Sequence, residues 1–473
     1  MKRDMAYQVR RSIVSVMAMA VLVVGAGLFV AVEDAHAVPT FSRKYHTSCT
    51  TCHVGFPKIN AFGEAFKNNG YRLPDDEVFV KEPPVWLGSE SYEKVWPDAI
   101  WPSNIPGSVP ISLRIIGEFD YVPTQRTAGT GKTSFEFPHE IEFLSLGTLG
   151  KNISYFLSIA LQDEDERNAI EAVWLEYNDV LTGTWGIPED FLNLRFGLFE
   201  PMAIPFSQFN QRIGLSRPKI TDFKVSSADQ PRMRDSQSGV EMYGVVNKRT
   251  RYATGVVNGE VKDGATENFA DNNTEKDIYV RLEHKFGGLP FSGAAENSPS
   301  SAGELQPSLT YFDQGKSVTV GTTGYWGVNQ VDAVSPITTK ANSEYYRITG
   351  FVRATMDRYN VDVAYLHQRD DAAAGQFTGT IDDEITSNGF YVETTAFLKP
   401  WIALMTRFDN LSVEHLSVLG ASNPTDNTNR LTLAMPIYAR PNLRIVPEAS
   451  LGLSHYRDGN VNDTYTVRAD FAY

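Results

Sequence analysis

The stretch ISLRIIGEFDY, residues 111–121, alternates in character along most of its length. Ile111, Leu113, Ile115, Phe119 and Tyr121 interleave with Ser112, Arg114, Glu118 and Asp120. Successive side chains of a strand point to opposite faces, so a period of two describes a strand with one apolar and one polar face. The pattern recurs downstream. Ile153, Tyr155, Leu157, Ile159 and Leu161 alternate with Ser154, Ser158 and Gln162, and Tyr359, Val361, Val363 and Tyr365 with Asn360 and Asp362. A β-sandwich and a membrane barrel both produce such strands.

Two further features favour the barrel. Tight turns at 150–152, 247–249, 356–358, 399–400 and 439–441 alternate with long polar connections at 122–136, 200–237, 259–276, 313–343, 369–387 and 410–428. Short turns on one side and long loops on the other mark outer-membrane barrels. The chain also closes on Tyr465, Val467, Ala469, Phe471 and Tyr473, alternating with polar or small residues, which resembles the C-terminal strand signal of bacterial outer-membrane proteins. The region 111–473 is therefore expected to form a porin-like transmembrane barrel of about 16 antiparallel strands. Its third outer loop contains GLFEPMAIPFSQFNQRIGLSRP, residues 197–218. Met202, Ile204, Phe206 and Phe209 suit either a loop folded into the pore or one packed at the rim.

Residues 1–37 have the layout of a secretory signal peptide. Lys2, Arg3, Arg10 and Arg11 precede an apolar run, and Ala35-His36-Ala37 offers a small-x-small cleavage pattern. No later stretch approaches the roughly 18 consecutive apolar residues of a membrane helix. The full chain carries 43 Lys+Arg against 57 Asp+Glu, a balance that argues against nucleic acid as a partner. RTAGTGKTS, residues 126–134, lacks the first glycine of a phosphate-binding loop.

The two cysteines of the chain, Cys49 and Cys52, stand next to His53. Cys-x-x-Cys-His is the attachment pattern of a c-type haem, in which both thiols bind the porphyrin covalently and the histidine is the proximal iron ligand. A redox disulfide and half of a zinc site are the alternatives. A structural zinc site needs four ligands, and no second cysteine pair exists. After His53, Phe56-Pro57 is expected to open a helix bearing Ile59, Phe62 and Phe66 on one face, with Gly70 ending it. His46 and Met202 are candidate distal ligands, with His139 behind them.

The stretch FSRKYHTSCTTCHVGFPKINAFGEAFKNNGY, residues 41–71, resembles the N-terminal cytochrome of the fused monohaem cytochrome–porins of iron-oxidising bacteria, with Ile59 in place of the usual leucine. The resemblance implies one covalent haem c on Cys49 and Cys52 with His53 on the iron. It implies oxidation of extracellular Fe(II), with electrons passed to a periplasmic c-type cytochrome. Such an electron-transfer protein would act as an Fe(II) oxidase without bond-making catalytic residues. The expected layout is a signal peptide (1–37), a small α-helical cytochrome segment plugging the pore (38–72), a Pro/Trp-rich connector (73–110) and an all-β outer-membrane barrel (111–473). Outer-membrane lipid would surround it, and a homotrimer is one candidate assembly. The acidic run 163–166 falls in an expected outer loop; such runs are ordinarily just solvated, and gathering Fe(II) at the entrance by charge is the functional alternative. The alternative reading keeps the fold and assigns it to other electron donors or acceptors, or to solute passage.

Overall fold

The computed structural model describes residues 41–42, 49–71, 111–123, 132–149, 152–162, 169–182, 186–206, 212–223, 231–259, 273–293, 315–331, 341–371, 384–399, 401–415, 428–440, 442–453 and 463–472. The expected signal peptide, the connector, His46 and the acidic run 163–166 lie outside these residues.

Near the N-terminus, a 3-10 turn at Cys49–Thr51 leads into a hairpin of β1 (His53–Gly55) and β2 (Lys58–Ile59), followed by helix α1 (Ala61–Asn68). The wall follows: β3 (Ile111–Val122), β4 (Lys132–Thr148), β5 (Ile153–Gln162), β6 (Ala169–Tyr177), β7 (Asn193–Phe199), β8 (Gln237–Val246), β9 (Thr250–Val257), β10 (Asp277–Gly287) and β11 (Lys316–Val331). It continues with β12 (Ala341–Met356), β13 (Tyr359–Asp371), β14 (Glu384–Lys399), β15 (Ile402–His415), β16 (Thr428–Ala434), β17 (Ile437–Arg440), β18 (Leu443–Gly452) and β19 (Thr464–Ala472). A short helix, α2 (Lys219–Asp222), lies between β7 and β8. The sheet is antiparallel and closes where β19 pairs with β3. β16 and β17 both lie between β15 and β18, so they are one strand interrupted at Met435-Pro436. Proline cannot donate to the ladder, which explains the break. The barrel thus has 16 strands, as the alternation implies.

β10 shows why this sequence closes around a polar interior. Tyr279, Arg281, Glu283 and Lys285 are buried inside, while Ile278, Val280, Leu282 and Phe286 are exposed outside. In water that outer face would be unstable; against lipid tails it is what a spanning strand requires. Exposed aromatics ring the ends, with Phe286, Tyr359 and Trp401 beside one set of turns and Tyr121 and Trp326 toward the other rim. The expected turn at 247–249 is present, and Asn247 and Lys248 both adopt positive φ, as a two-residue hairpin turn demands.

Three expectations need correction. The segment 313–343 is not one long loop, because β11 occupies most of it. Its alternation is muted by inward glycines: a Cβ on Gly321 would lie 2.3 Å from the Phe351 ring, and one on Gly327 2.5 Å from the Asp277 carboxylate. The long connection falls instead at 288–315, on the side of the short turns. The helix does not start at Phe56-Pro57 either. Those residues form the hairpin turn, and Asn60 caps α1 by accepting a hydrogen bond from the Gly63 N–H at 2.9 Å. Finally, the small α-helical cytochrome segment is replaced by a mixed unit. Among the described residues before the barrel, its regular structure is one two-turn helix, one hairpin and a 3-10 turn, with a helical pair at 41–42.

Candidate functional site

The N-terminal unit sits inside the barrel, nearer the end with the short turns, and is held from several sides. Lys58 on β2 pairs with Asp362 on β13 at 3.4 Å, and Arg353 donates to both oxygens of that carboxylate. Glu64 on α1 pairs with Lys285 on β10 at 2.9 Å. Asn68 accepts from Arg251 on β9 and donates to the Phe291 carbonyl. Ser154 on β5 donates to the Gly70 carbonyl, and Arg444 on β18 to the Phe56 carbonyl. Tyr71 stacks on Trp174 of β6, ring centres 6.0 Å apart. These anchors span the circumference, so the unit is a plug. Burial alone would raise the Glu64 carboxyl, but Lys285 and Arg251 overcome it and bring it down to about 2.

The third outer loop folds inward above the plug. Ile204, Ile213, Leu215, Ile220 and Met233 are buried there. Val54 of the plug, Ile213 and Leu215 of the loop, and Phe397, Met405 and Val446 of the wall form one apolar cluster. Wall side chains hold the loop by its backbone. Glu448 accepts from the Leu215 and Ser216 amides, and Asp409 from the Lys219 amide. Arg407 donates to the Ser216 and Arg217 carbonyls, Arg281 to those of Ile204 and Pro205, and Arg347 to that of Pro231. Of the two placements open from sequence, the structure shows the inward one.

Most of these wall residues were not singled out from sequence. Their signal was legible: Arg281, Glu283 and Lys285 recur every second residue between apolar neighbours. What the spacing could not give is the pairing. Arg195 with Glu176 and Glu241, Arg407 with Glu393, and Arg114 and Arg444 with Asp470 all join different strands.

The Cys-x-x-Cys-His residues lie at the base of the plug. Cys49 and Cys52 form no disulfide. Burial raises both thiols, and together with the neighbouring Cys49 it pushes Cys52 up to about 12, so both are protonated at neutral pH. His53 is half-buried and held neutral, its desolvation pulling the pKa down to about 4 against the opposing pull of its backbone hydrogen bonds to Pro57 and Lys58. Its Nδ1 lies 3.1 Å from the Pro57 carbonyl, which places the ring proton there. The two candidate distal ligands among the described residues, Met202 and His139, make their contacts elsewhere. Met202 packs with Trp174, Tyr279 and Tyr71, whereas Val54, beside His53, belongs to the Phe397–Val446 cluster. His139 belongs to β4, where its Nδ1 meets Glu136.

Among the described residues, no group of three or more His, Cys, Asp or Glu side chains converges on a metal position. None of three cavities around the plug and loop, of about 40, 10 and 80 Å³, is lined by Cys49, Cys52 or His53.

Comparison with known proteins places the fold. An anion-selective porin from Comamonas acidovorans superposes with a TM-score of 0.50 at 10% identity, over 77% of this chain and 99% of that one. OmpF of Salmonella typhi, in a complex with daunomycin, gives 0.48 at 9% identity over 77% and 97%. OmpT of Vibrio cholerae gives 0.47 at 10% over 77% and 99%. No family profile and no curated protein matches the chain. The protein is a 16-stranded barrel of porin architecture and resides in the outer membrane of a Gram-negative cell.

These findings correct the expected family, cofactor and activity. Membership of the fused cytochrome–porins is not carried: no family profile and no curated protein matches the chain, and the solved structure at a TM-score of 0.50 shares the barrel fold alone. The haem c expectation is withdrawn with it, since no metal-ligating group converges among the described residues. With the cofactor goes the reading as an Fe(II)-oxidising electron conduit.

Proposed function

We propose that the protein is a plugged porin that admits ions and small polar solutes across the outer membrane, with the N-terminal plug and the inward loop restricting the passage. One observation carries the reading: a closed barrel with a charged interior is crossed at two levels by elements tied to the wall. A lumen lined by alternating Arg and carboxylate side chains is a polar route through lipid. The plug and loop set its bore.

Planar-bilayer conductance tests this. The intact chain is expected to give a small, steady conductance in potassium chloride. Lys58→Gln combined with Glu64→Gln removes three of the plug's ion pairs, Lys58–Asp362, Glu64–Lys285 and Glu64–Arg251, and should raise the conductance severalfold. A folded barrel that conducts no ions in either form overturns the proposal.

A further inference from the structure

We propose that the cavity between the plug helix and the inward loop is a binding site for a small oxyanion, built chiefly from Lys67 of α1 and Arg281 of β10. The cavity has a volume of about 80 Å³, enough for roughly two or three waters or one tetrahedral anion. Five cationic side chains and three carboxylates line it.

The four arginines already have carboxylate partners: Arg195 pairs with Glu176 and Glu241, Arg251 with Glu64 and Glu283, Arg281 with Glu283, and Arg353 with Asp362. Glu64 is engaged by Lys285 and Arg251, and Glu283 by Arg251 and Arg281. Lys67 is the cation left over: its Nζ makes no hydrogen bond or ion pair within the described residues, although it faces the cavity from inside the barrel. Arg281 is only 7% exposed and keeps its Nε without a partner, while its other nitrogens go to the loop carbonyls and Glu283. A buried guanidinium Nε with nothing to donate to, beside an ammonium that forms no ion pair among the described residues although Glu200 and Glu241 attract it, is a site that an anion completes. The groups acting on Lys67 come from the plug's surroundings on several strands. Burial, Arg195 and Arg251 lower its pKa to about 8, against Glu200 and Glu241. A bound anion relieves that strain. The site is independent of solute passage, because a chain that conducts nothing can still bind.

Titration calorimetry of the full-length protein in detergent, with sodium sulfate as the probe, decides the matter. Sulfate keeps its charge between pH 7 and 9, so any pH dependence belongs to the protein. The intact protein should show one saturable site at pH 7. Lys67→Gln should weaken it about tenfold and Lys67→Arg should retain it. Between pH 7 and 9 the intact protein should lose about tenfold in affinity as Lys67 deprotonates, and Lys67→Arg should not. Heat-modifiable migration on gels confirms that each variant is a folded barrel. No saturable binding in the intact protein, or equal affinity in Lys67→Gln, overturns the proposal.

Discussion

The plug and the inward loop fill the same lumen but are held in opposite ways. The plug depends largely on its own side chains: Lys58, Glu64 and Asn68 reach outward to partners on the wall. The loop is held mainly by its backbone, which Glu448, Asp409, Arg407, Arg281 and Arg347 of the wall grip. A peptide group is present whatever the side chain, so the loop's anchorage tolerates substitution within the loop and is vulnerable in the wall. The plug is vulnerable in both. It is also the part whose ionisable anchors lie outside the spanning strands, so acid should reach it first.

The sharpest break in this contrast is Arg407→Met. Arg407 is fully buried, and its loss leaves Asp409 and Glu393 uncompensated and two loop carbonyls unpaired. Removing one member of a buried charge pair costs about 3–5 kcal/mol. Urea unfolding of the liposome-inserted barrel should show that loss, together with faster proteolysis within 200–236.

Asp362→Asn ranks next. It weakens the attachment of Lys58 while leaving Arg353 without its bidentate partner. A loss of about 2–4 kcal/mol in plug docking is expected, read as protease cleavage between residues 49 and 71 while the barrel stays heat-modifiable. Cleavage at the loop instead would contradict the separation of the two anchorages.

Acid should act more gently and in two steps. Both groups titrate below their ordinary values, so what they contribute to docking is present at neutral pH and lost on acidification. His53 is held from 6.5 down to about 4, so the plug starts to lose stability as pH falls below 6.5. Glu64 is held from 4.5 down to about 2 and adds a second loss below 4.5. Plug protection against an acid-active protease, measured from pH 7 to 3, should fall in that order. Glu64→Gln should erase the lower step and keep the upper.

Ser216→Ala should do least. It removes the hydroxyl that accepts from Arg407 at 2.9 Å but leaves the Ser216 amide and carbonyl in place. A cost of about 0.5–1.5 kcal/mol is expected. A loss as large as that of Arg407→Met would show that the loop is read by its side chains after all.

The outer face of the barrel was legible because lipid imposes one rule on every spanning strand: alternate residues must be apolar. Ile111–Val122 and Tyr359–Asp371 obey it and were readable one strand at a time. Lys316–Val331 was hidden because its inward positions are glycines making room for Phe351 and Asp277, a demand set by distant strands. Cys-x-x-Cys-His was equally legible as a motif. Its surroundings were not, since the neighbours of Val54 come from residues 213–446.

Local alternation, together with the loop pattern and the C-terminal strand signal, therefore determined that this chain is a membrane barrel, about how many strands it has, and which faces are wet. Only the tertiary structure decided that residues 49–71 stand inside the lumen, that the third outer loop turns inward, and which Arg meets which carboxylate. The physical reason is range. Side-chain alternation is fixed by the geometry of adjacent peptides, whereas Lys58 with Asp362 is a contact across 304 positions that exists only once the sheet has closed.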